Sequence, residues 1–455
     1  MLLFGTSSAG NAFVAMVCLL SNSFSYSQSP QFPTDFRWCV ATSAHQIEGG
    51  NTQSDWAHWE AQPGRIKRNE QSGEASGHWT RIAEDTALMK TLGVDTYRMS
   101  IEWAKLEPTQ GHWDLVALAH YRDEVRQLKD AGIRPLVTLH HFTFPQWVAQ
   151  RGGWEWQGLP DAMALFTAKV LEVIGDDVSE WITINEPMVA AMGGYLNGHF
   201  PPGEKRPIKG LVPVIKAMLL THARMYDEIH QWAKQRGIKV RVGLAHHLRV
   251  MKAKRWWHPL DHLTAYFIER AWNWSFPDAL AYGRLKLIVP GAVDFDEDLP
   301  TIKGKEDFFG LNYYTGDLVE YGGEHGFTMH TRNGVPKNEL GWDIWPQGLA
   351  KVLRLIHRRY LRQPIFITEN GLADRDDDQR SSFLKEHVKT VVESIAKGIK
   401  IEGYCHWSLL DNFEWSEGFE PRFGLVAVDY TTMERTPRPS FDLYRRMIAA
   451  RRWDP

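Results

Sequence analysis

Eight short apolar or β-branched runs, separated by longer amphipathic stretches, constrain this chain more than any other feature of it. In order they are "RWCVATSAH" from Arg37, "DTYRMSIEW" from Asp95, "RPLVTLHHF" from Arg134, "SEWITINEP" from Ser179, "VRVGLAHH" from Val240, "DFFGLNYYT" from Asp307, "QPIFITENG" from Gln363 and "IEGYCHWSLLDN" from Ile401. Runs of this kind read as strands, and the stretches between them carry the spacing of helices that cover a parallel sheet. Between the second and third runs, Leu118, Tyr121, Val125 and Leu128 recur at helical spacing, with Arg122, Glu124 and Lys129 on the other face. Eight such units predict the α/β class and a single (β/α)8 barrel over residues 31–455. No internal repeat or low-complexity linker argues for a second domain.

The connections are lopsided. Helices pass into strands through brief turns such as "LGVD" and "AGIRP", whereas long irregular stretches follow the strands: Glu48 to Gly77, Pro187 to Pro207, Thr315 to Trp345 and Leu409 to Pro437. All of them leave the C-terminal rim, so these enlarged βα loops are expected to wall a deep pocket there.

Composition narrows the function by exclusion. A formal net charge of −3 gives no electrostatic reason to expect a nucleic-acid or acidic-membrane partner. Cys18, Cys39 and Cys405 are too few and too scattered for a disulfide framework or a thiolate zinc site, and their expected role is as small buried hydrophobes. His140 with His141, and His246 with His247, are strand neighbours that point to opposite faces, so neither pair ligates one ion readily. There is no HExxH helix, Walker A loop or GxGxxG fingerprint, and neither cofactor nor metal is implied.

Residues 1–30 stand apart, with a short apolar run from Phe13 to Leu20 and then "SNSFSYSQS". No Lys or Arg precedes that run, and it sits at the short end of the signal-peptide range. A cytoplasmic protein with an N-terminal extension is the favoured expectation; the alternative is a periplasmic or secreted one, with these residues as its signal.

Each strand ends in polar or aromatic groups that a closed barrel brings to one mouth. Two of them are Glu residues beside an Asn, Glu186 with Asn185 and Glu369 with Asn370, where an otherwise apolar strand should simply stop. A single strand-end Glu is ordinarily solvated. Two facing carboxylates in a Trp-rich pocket instead suggest glycoside hydrolysis, one protonating the leaving oxygen and the other attacking the anomeric carbon. Arg98 supplies the asymmetry: beside one Glu it keeps that group ionised, and the ionised group raises the pKa of its partner.

From Phe32 to Trp453 the chain resembles the retaining β-glycosidases of glycoside hydrolase family 1, through "ATSAHQIEG", "YRMSIEW", "TLHHFTFPQW", "TINEP", "DFFGLNYYT", "ITENG" and "WSLLDNFEW" with "RFGL", all in order. The resemblance implies an exo-acting retaining β-glucosidase, with β-galactosidase and β-fucosidase as further activities, acting on cellobiose, short oligosaccharides and aryl glucosides. It makes Glu186 the acid/base and Glu369 the nucleophile, with Arg98, Asn312 and Tyr314 orienting or hydrogen-bonding the nucleophile. Asn185 matches the donor to the sugar 2-hydroxyl; Gln46, His141, Glu414 and Trp415 match groups gripping the other hydroxyls; Trp407 matches the platform under the ring. Such side chains supply fixed donors, acceptors and an apolar face.

Within that resemblance, Glu414 in "NFEWSEGFEPRFG" accepts hydrogen bonds from neutral 4- and 6-hydroxyls but repels a 6-phosphate, so the expected substrate is a non-phosphorylated β-glycoside, with Phe423 walling the C6 side. Met188 and Trp342 are expected at the aglycone side, where a pliable Met accommodates varied leaving groups. Phe142 stands where many members carry Trp, Gly77 where Asp is common and His247 where Asn is common. Two rivals remain: an endo-acting barrel, which needs an open groove, and a catalytically dead sugar binder, which would lack a carboxylate. Oligomeric state is not legible.

Overall fold

The computed structural model describes residues 30–361 and 363–454. The expected N-terminal extension, residues 1–30, lies outside the described residues except for its last position. All eight expected runs form strands: β1 (Arg37–Ala41), β2 (Thr96–Ser100), β3 (Arg134–His140), β4 (Glu180–Asn185), β5 (Arg241–His247), β6 (Phe308–Asn312), β7 (Ile365–Gly371) and β8 (Ile401–Trp407). They close in sequence order, with β1 hydrogen-bonded to both β2 and β8 and every neighbouring pair parallel.

The helix Leu115–Asp130 shows how local sequence builds the outer layer. Asp114 caps it, accepting from Val116 N at 2.8 Å and Ala117 N at 2.9 Å, a contact of about 1 kcal/mol. Leu118, Tyr121, Val125 and Leu128 are buried as their spacing requires. Glu124 departs from the expected polar face: it is buried, with Oε1 3.0 Å from His78 Nε2. The other ring nitrogen of His78 lies 2.7 Å from Asp85, which Arg435 also grips. Burial opposes a charge on His78, but these two carboxylates hold its pKa up to about 10. A helical-wheel pattern cannot show a partner supplied by another helix.

Inside the barrel, an apolar cluster takes Cys39, Ala41, Leu136, Ile182, Ala245, Phe308, Phe366, Cys405 and Trp407, drawing on every strand except β2. Strand β2 contributes the fully buried Arg98 instead. Cys39 and Cys405 are direct partners across the β1/β8 seam and form a disulfide. The expectation of free buried thiols is therefore corrected: residues 366 apart in sequence become neighbours only when the barrel closes.

The βα loops hold the rim. The segment after β5 is more elaborate than a plain helical crossover. It carries a strand Val250–Ala253, helices Pro259–Glu269 and Ser275–Tyr282 joined by a π-helical turn Arg270–Trp274, and a hairpin Arg284–Val289 with Val293–Asp298.

Candidate active site

Strands β4 and β7 deliver the two Glu residues through irregular register. The pairing of β7 with β6 slips between Ile367 and Glu369, and that of β4 with β5 slips between Ile182 and Asn185. Side chains of a regular strand alternate between faces, so Thr368 and Glu369 could not both point inward. The bulge allows it: Thr368 Oγ1 donates to Asn312 Oδ1 at 2.7 Å while Glu369 reaches the pocket. Glu186 follows β4 at φ 44°, ψ 60°, a left-handed conformation costly for a residue with a side chain, and Pro187 then opens a helix. Its N–H donates to Ala245 O at 2.8 Å, which holds the kink. Phe142 and Trp415, also in the pocket wall, have positive φ as well.

One hydrogen-bond chain joins the two acids. Arg98 Nη1 donates to Glu369 Oε1, and Arg98 Nη2 donates to Asn185 Oδ1 at 2.7 Å. Asn312 Nδ2 donates to that same Asn185 oxygen at 3.1 Å and to Glu186 Oε1 at 2.8 Å. Tyr314 completes the Glu369 side, its hydroxyl donating to Oε2 at 2.6 Å. Glu369 thus faces a guanidinium and a phenol, whereas Glu186 has an amide. The consequence is electrostatic: burial first, and then the charge of Glu369, push the Glu186 pKa up to about 8, against the opposing pull of Asn312 and Arg98. Glu414 is pushed up to about 8 in the same way, by burial and then Glu369.

These groups share a pocket of about 420 Å³. Gln46, His141, Asn185, Glu186, Tyr314, Trp342, Glu369, Trp407, Glu414, Trp415 and Phe423 all line it. Gln46 is held by Asn412, Phe413 O and Glu414, at 2.8, 2.9 and 3.3 Å from its Nε2. The rings of Trp407 and Trp415 each stack on His141, 5.9 Å away between centroids. His141 Nε2 is 3.0 Å from Asn185 Nδ2, while its Nδ1 is buried with no hydrogen-bond partner among the described residues. Arg98 and Asn312 lie one layer behind the wall. His140 packs on Phe144 and Trp154 instead, so the two neighbours do divide between pocket and helices.

Met188 is where the expectation fails. It faces an apolar gap with Met192, Leu196, Leu211 and Ile215, its sulfur 3.8 Å from Ser275 Oγ, and the next residue, Val189, takes the pocket position. The kink at Glu186 shifts which side of the following helix faces inward.

Sequence reasoning also missed Lys67, Phe200, Arg249, Trp272, Glu339, Leu340, Ser416 and Glu417 in the pocket wall. Most come from the rim loops already expected to form it; loop origin alone does not say which side chains turn inward. His247, noted only as a departure, has its Nδ1 3.9 Å from Glu186 Oε1, and burial followed by the Arg249 charge lowers its pKa to about 3. It stands as a neutral imidazole beside the acid. Among the described residues no cluster of His, Cys, Asp and Glu suits a metal ion, and no helix is long and apolar enough to cross a membrane.

A (β/α)8 barrel that joins two buried carboxyls of unequal surroundings at an aromatic rim pocket has the equipment of a carbohydrate hydrolase. Comparison makes the class specific. The model of glycosyl hydrolase family 1 matches residues 28–452. Beta-glucosidase A of Thermotoga maritima is 32% identical over 441 residues, covering 92% of this chain and 98% of the relative. The bifunctional beta-D-glucosidase/beta-D-fucosidase of Bifidobacterium breve is 31% identical, covering 92% and 98%. Among solved structures, the Thermotoga maritima beta-glucosidase in complex with glucoimidazole superposes with a TM-score of 0.86 at 30% identity, covering 93% of this chain and 99% of that one. The chain belongs to glycosyl hydrolase family 1 and is an enzyme of that family.

Proposed function

We propose that this chain is an exo-acting, retaining β-glucosidase for non-phosphorylated β-glucosides, including cellobiose, short oligosaccharides and aryl glucosides, with β-galactosidase and β-fucosidase as side activities. The observation that carries it is the unequal pair: Glu369 against Arg98 and Tyr314, and Glu186 with its pKa pushed up to about 8 in the same pocket. The names of the relatives support the glucosidase and fucosidase activities.

In the first step a Glu369 oxygen bonds to the anomeric carbon as the glycosidic C–O bond breaks, and Glu186 gives its proton to the departing oxygen. Esterification removes the Glu369 charge, one of the two main influences raising the Glu186 pKa. Glu186 is then the stronger acid and persists as a carboxylate. It takes a proton from water, whose oxygen attacks the same carbon and releases Glu369. Two displacements at one centre retain the β configuration.

Gln46, His141, Glu414 and Trp415 are assigned to the sugar hydroxyls, Asn185 to the 2-hydroxyl and Trp407 to the face of the ring. With Phe142 in place of an indole, a hydroxyl contact there falls to its polar neighbours. Trp342 is assigned to the aglycone side with Val189, in place of Met188. A disulfide supports maturation in an oxidising compartment, the alternative that residues 1–30 leave open; the N-terminal mass of the mature protein tests this.

Glu369→Gln is expected to lower aryl β-glucoside hydrolysis by at least roughly 10⁴-fold in a folded protein. Glu186→Ala is expected to lose hydrolysis of poor leaving groups and to form a β-glycosyl azide when azide is added. Full activity of Glu369→Gln, or an α-azide product, contradicts the assignment.

A further inference from the structure

Two neighbours on the short helix Ala44–Ile47 reach the same stretch of the loop after β8. Gln46 does so through its hydrogen bonds to Asn412, Phe413 and Glu414. His45 does so through its ring, which stacks on the indole of Trp415 with centroids 5.6 Å apart and planes 9° apart. The run of near-parallel rings continues along the pocket wall, with 15° between Trp415 and His141 and 24° between His141 and Trp407. His45 is only 2% exposed and is not among the residues lining the pocket, so it cannot touch a sugar itself.

Polar groups from the loop after β1 hold the His45 ring in its plane. Asn51 Nδ2 donates to His45 Nδ1 at 2.8 Å, which leaves the ring proton on Nε2, 3.5 Å from Glu60 Oε2. Glu60 is anchored in turn: its Oε1 accepts from Ser72 N at 3.1 Å and from Ser72 Oγ at 2.6 Å. Trp56 of the same loop packs on the Trp415 indole, 4.6 Å between centroids. Trp415 needs such support, because its φ of 50° is a left-handed conformation that disfavours a residue with a side chain. Its Nε1 donates to no group among the described residues while the side chain lines the pocket, so this N–H is free to meet a ligand there. The plane of the ring decides where that donor points.

We propose that His45 is a positioning residue for sugar binding: its flat ring sets the plane of Trp415 and so aims the indole N–H at a hydroxyl of the bound sugar. This rests on the assignment of Trp415 to the sugar hydroxyls above and names the group that acts behind it. A hydrogen bond weakens steeply as its angle closes, so a tilted indole loses the contact while still filling the wall. Through His45 the loop after β1 and the loop after β8 hold the sugar as one unit.

The test compares two replacements that both fill the site with apolar atoms and both abandon Asn51 and Glu60. Phenylalanine keeps a flat face against Trp415 and leucine does not. Hydrolysis of an aryl β-glucoside, per folded protein by circular dichroism, is measured for the parent, His45→Leu, His45→Phe, Trp415→Phe and the double variant His45→Leu with Trp415→Phe. Trp415→Phe is expected to lower kcat/KM roughly fivefold, as for one net hydrogen bond, and His45→Leu by a similar factor. His45→Phe should stay within about twofold of the parent. In the double variant the leucine should add less than about twofold, because no N–H is left to misplace. Where Trp415→Phe shows its loss, a parental rate in His45→Leu, equal losses in His45→Leu and His45→Phe, or losses that multiply in the double variant overturn the inference and leave Trp415 in its assigned role. A parental rate in Trp415→Phe overturns that assignment and the inference with it.

Discussion

Asn312 Nδ2 lies 2.8 Å from Glu186 Oε1, and as an N–H donor it favours the charged form of a carboxyl that burial and Glu369 push toward the neutral form. The Glu186 pKa is the balance of these influences. Because Glu186 must carry a proton to act as acid, activity is expected to fall as pH rises through about 8. Asn312→Ala removes a donor to the charged form, so the alkaline limb of kcat/KM should move upward by about one unit, from a hydrogen bond to a charged group worth ~1.5 kcal/mol. A pH–rate profile checks it, and a limb that moves downward contradicts this reading of the contact.

The charge of Glu369 is the second cause, after burial, of the raised pKa at both Glu186 and Glu414. Glu369→Gln deletes that charge and keeps the shape. Both remaining carboxyls should then titrate lower than in the parent, seen as downward shifts of their ¹³C carboxyl midpoints in NMR. Since the variant is expected to be inactive, the readout must be spectroscopic. Unmoved midpoints would show that burial alone sets the two values.

How much was legible in the sequence follows from what each feature depends on. Barrel strands announce themselves locally, as apolar runs bounded by polar strand ends, and all eight appear in the structure. Glu186 and Glu369 were visible as carboxylates where such runs end, although the register slips that turn them inward were not. The Cys39–Cys405 bond, the burial of Glu124 beside His78 and the inward turn of Trp272 each need a partner from a distant segment. Met188 went astray through a local cause, the left-handed backbone at Glu186. A backbone twist of that kind leaves no mark in hydrophobic periodicity.

Met188 packs in an apolar gap and is 7% exposed, so its contribution is to stability. Met188→Ala is expected to destabilise the fold by about 2–4 kcal/mol through lost contacts and the cavity left behind. The KM for an aryl glucoside should stay within about twofold of the parent. Chemical denaturation and steady-state kinetics on one preparation measure both. A large rise in KM with unchanged stability would return Met188 to the aglycone wall.

The Cys39–Cys405 disulfide joins the first and last barrel strands across a sequence separation of 366, and both cysteines are fully buried. Cross-linking chain segments so far apart restricts the unfolded ensemble strongly, so the bond is expected to stabilise by up to about 5 kcal/mol. Burial has a kinetic consequence as well. Dithiothreitol should leave the native protein oxidised and reduce it only after denaturation, because no thiolate can reach the sulfurs while the barrel is closed. Intact-mass measurement after alkylation, with and without denaturant, reads the oxidation state; thermal melts of the parent and of Cys39→Ala with Cys405→Ala read the stability. Free thiols at both positions in the native protein would refute the bond. Equal melting temperatures would instead show that the barrel seam is held by its strand hydrogen bonds and the packing around Trp407, with the cross-link adding nothing.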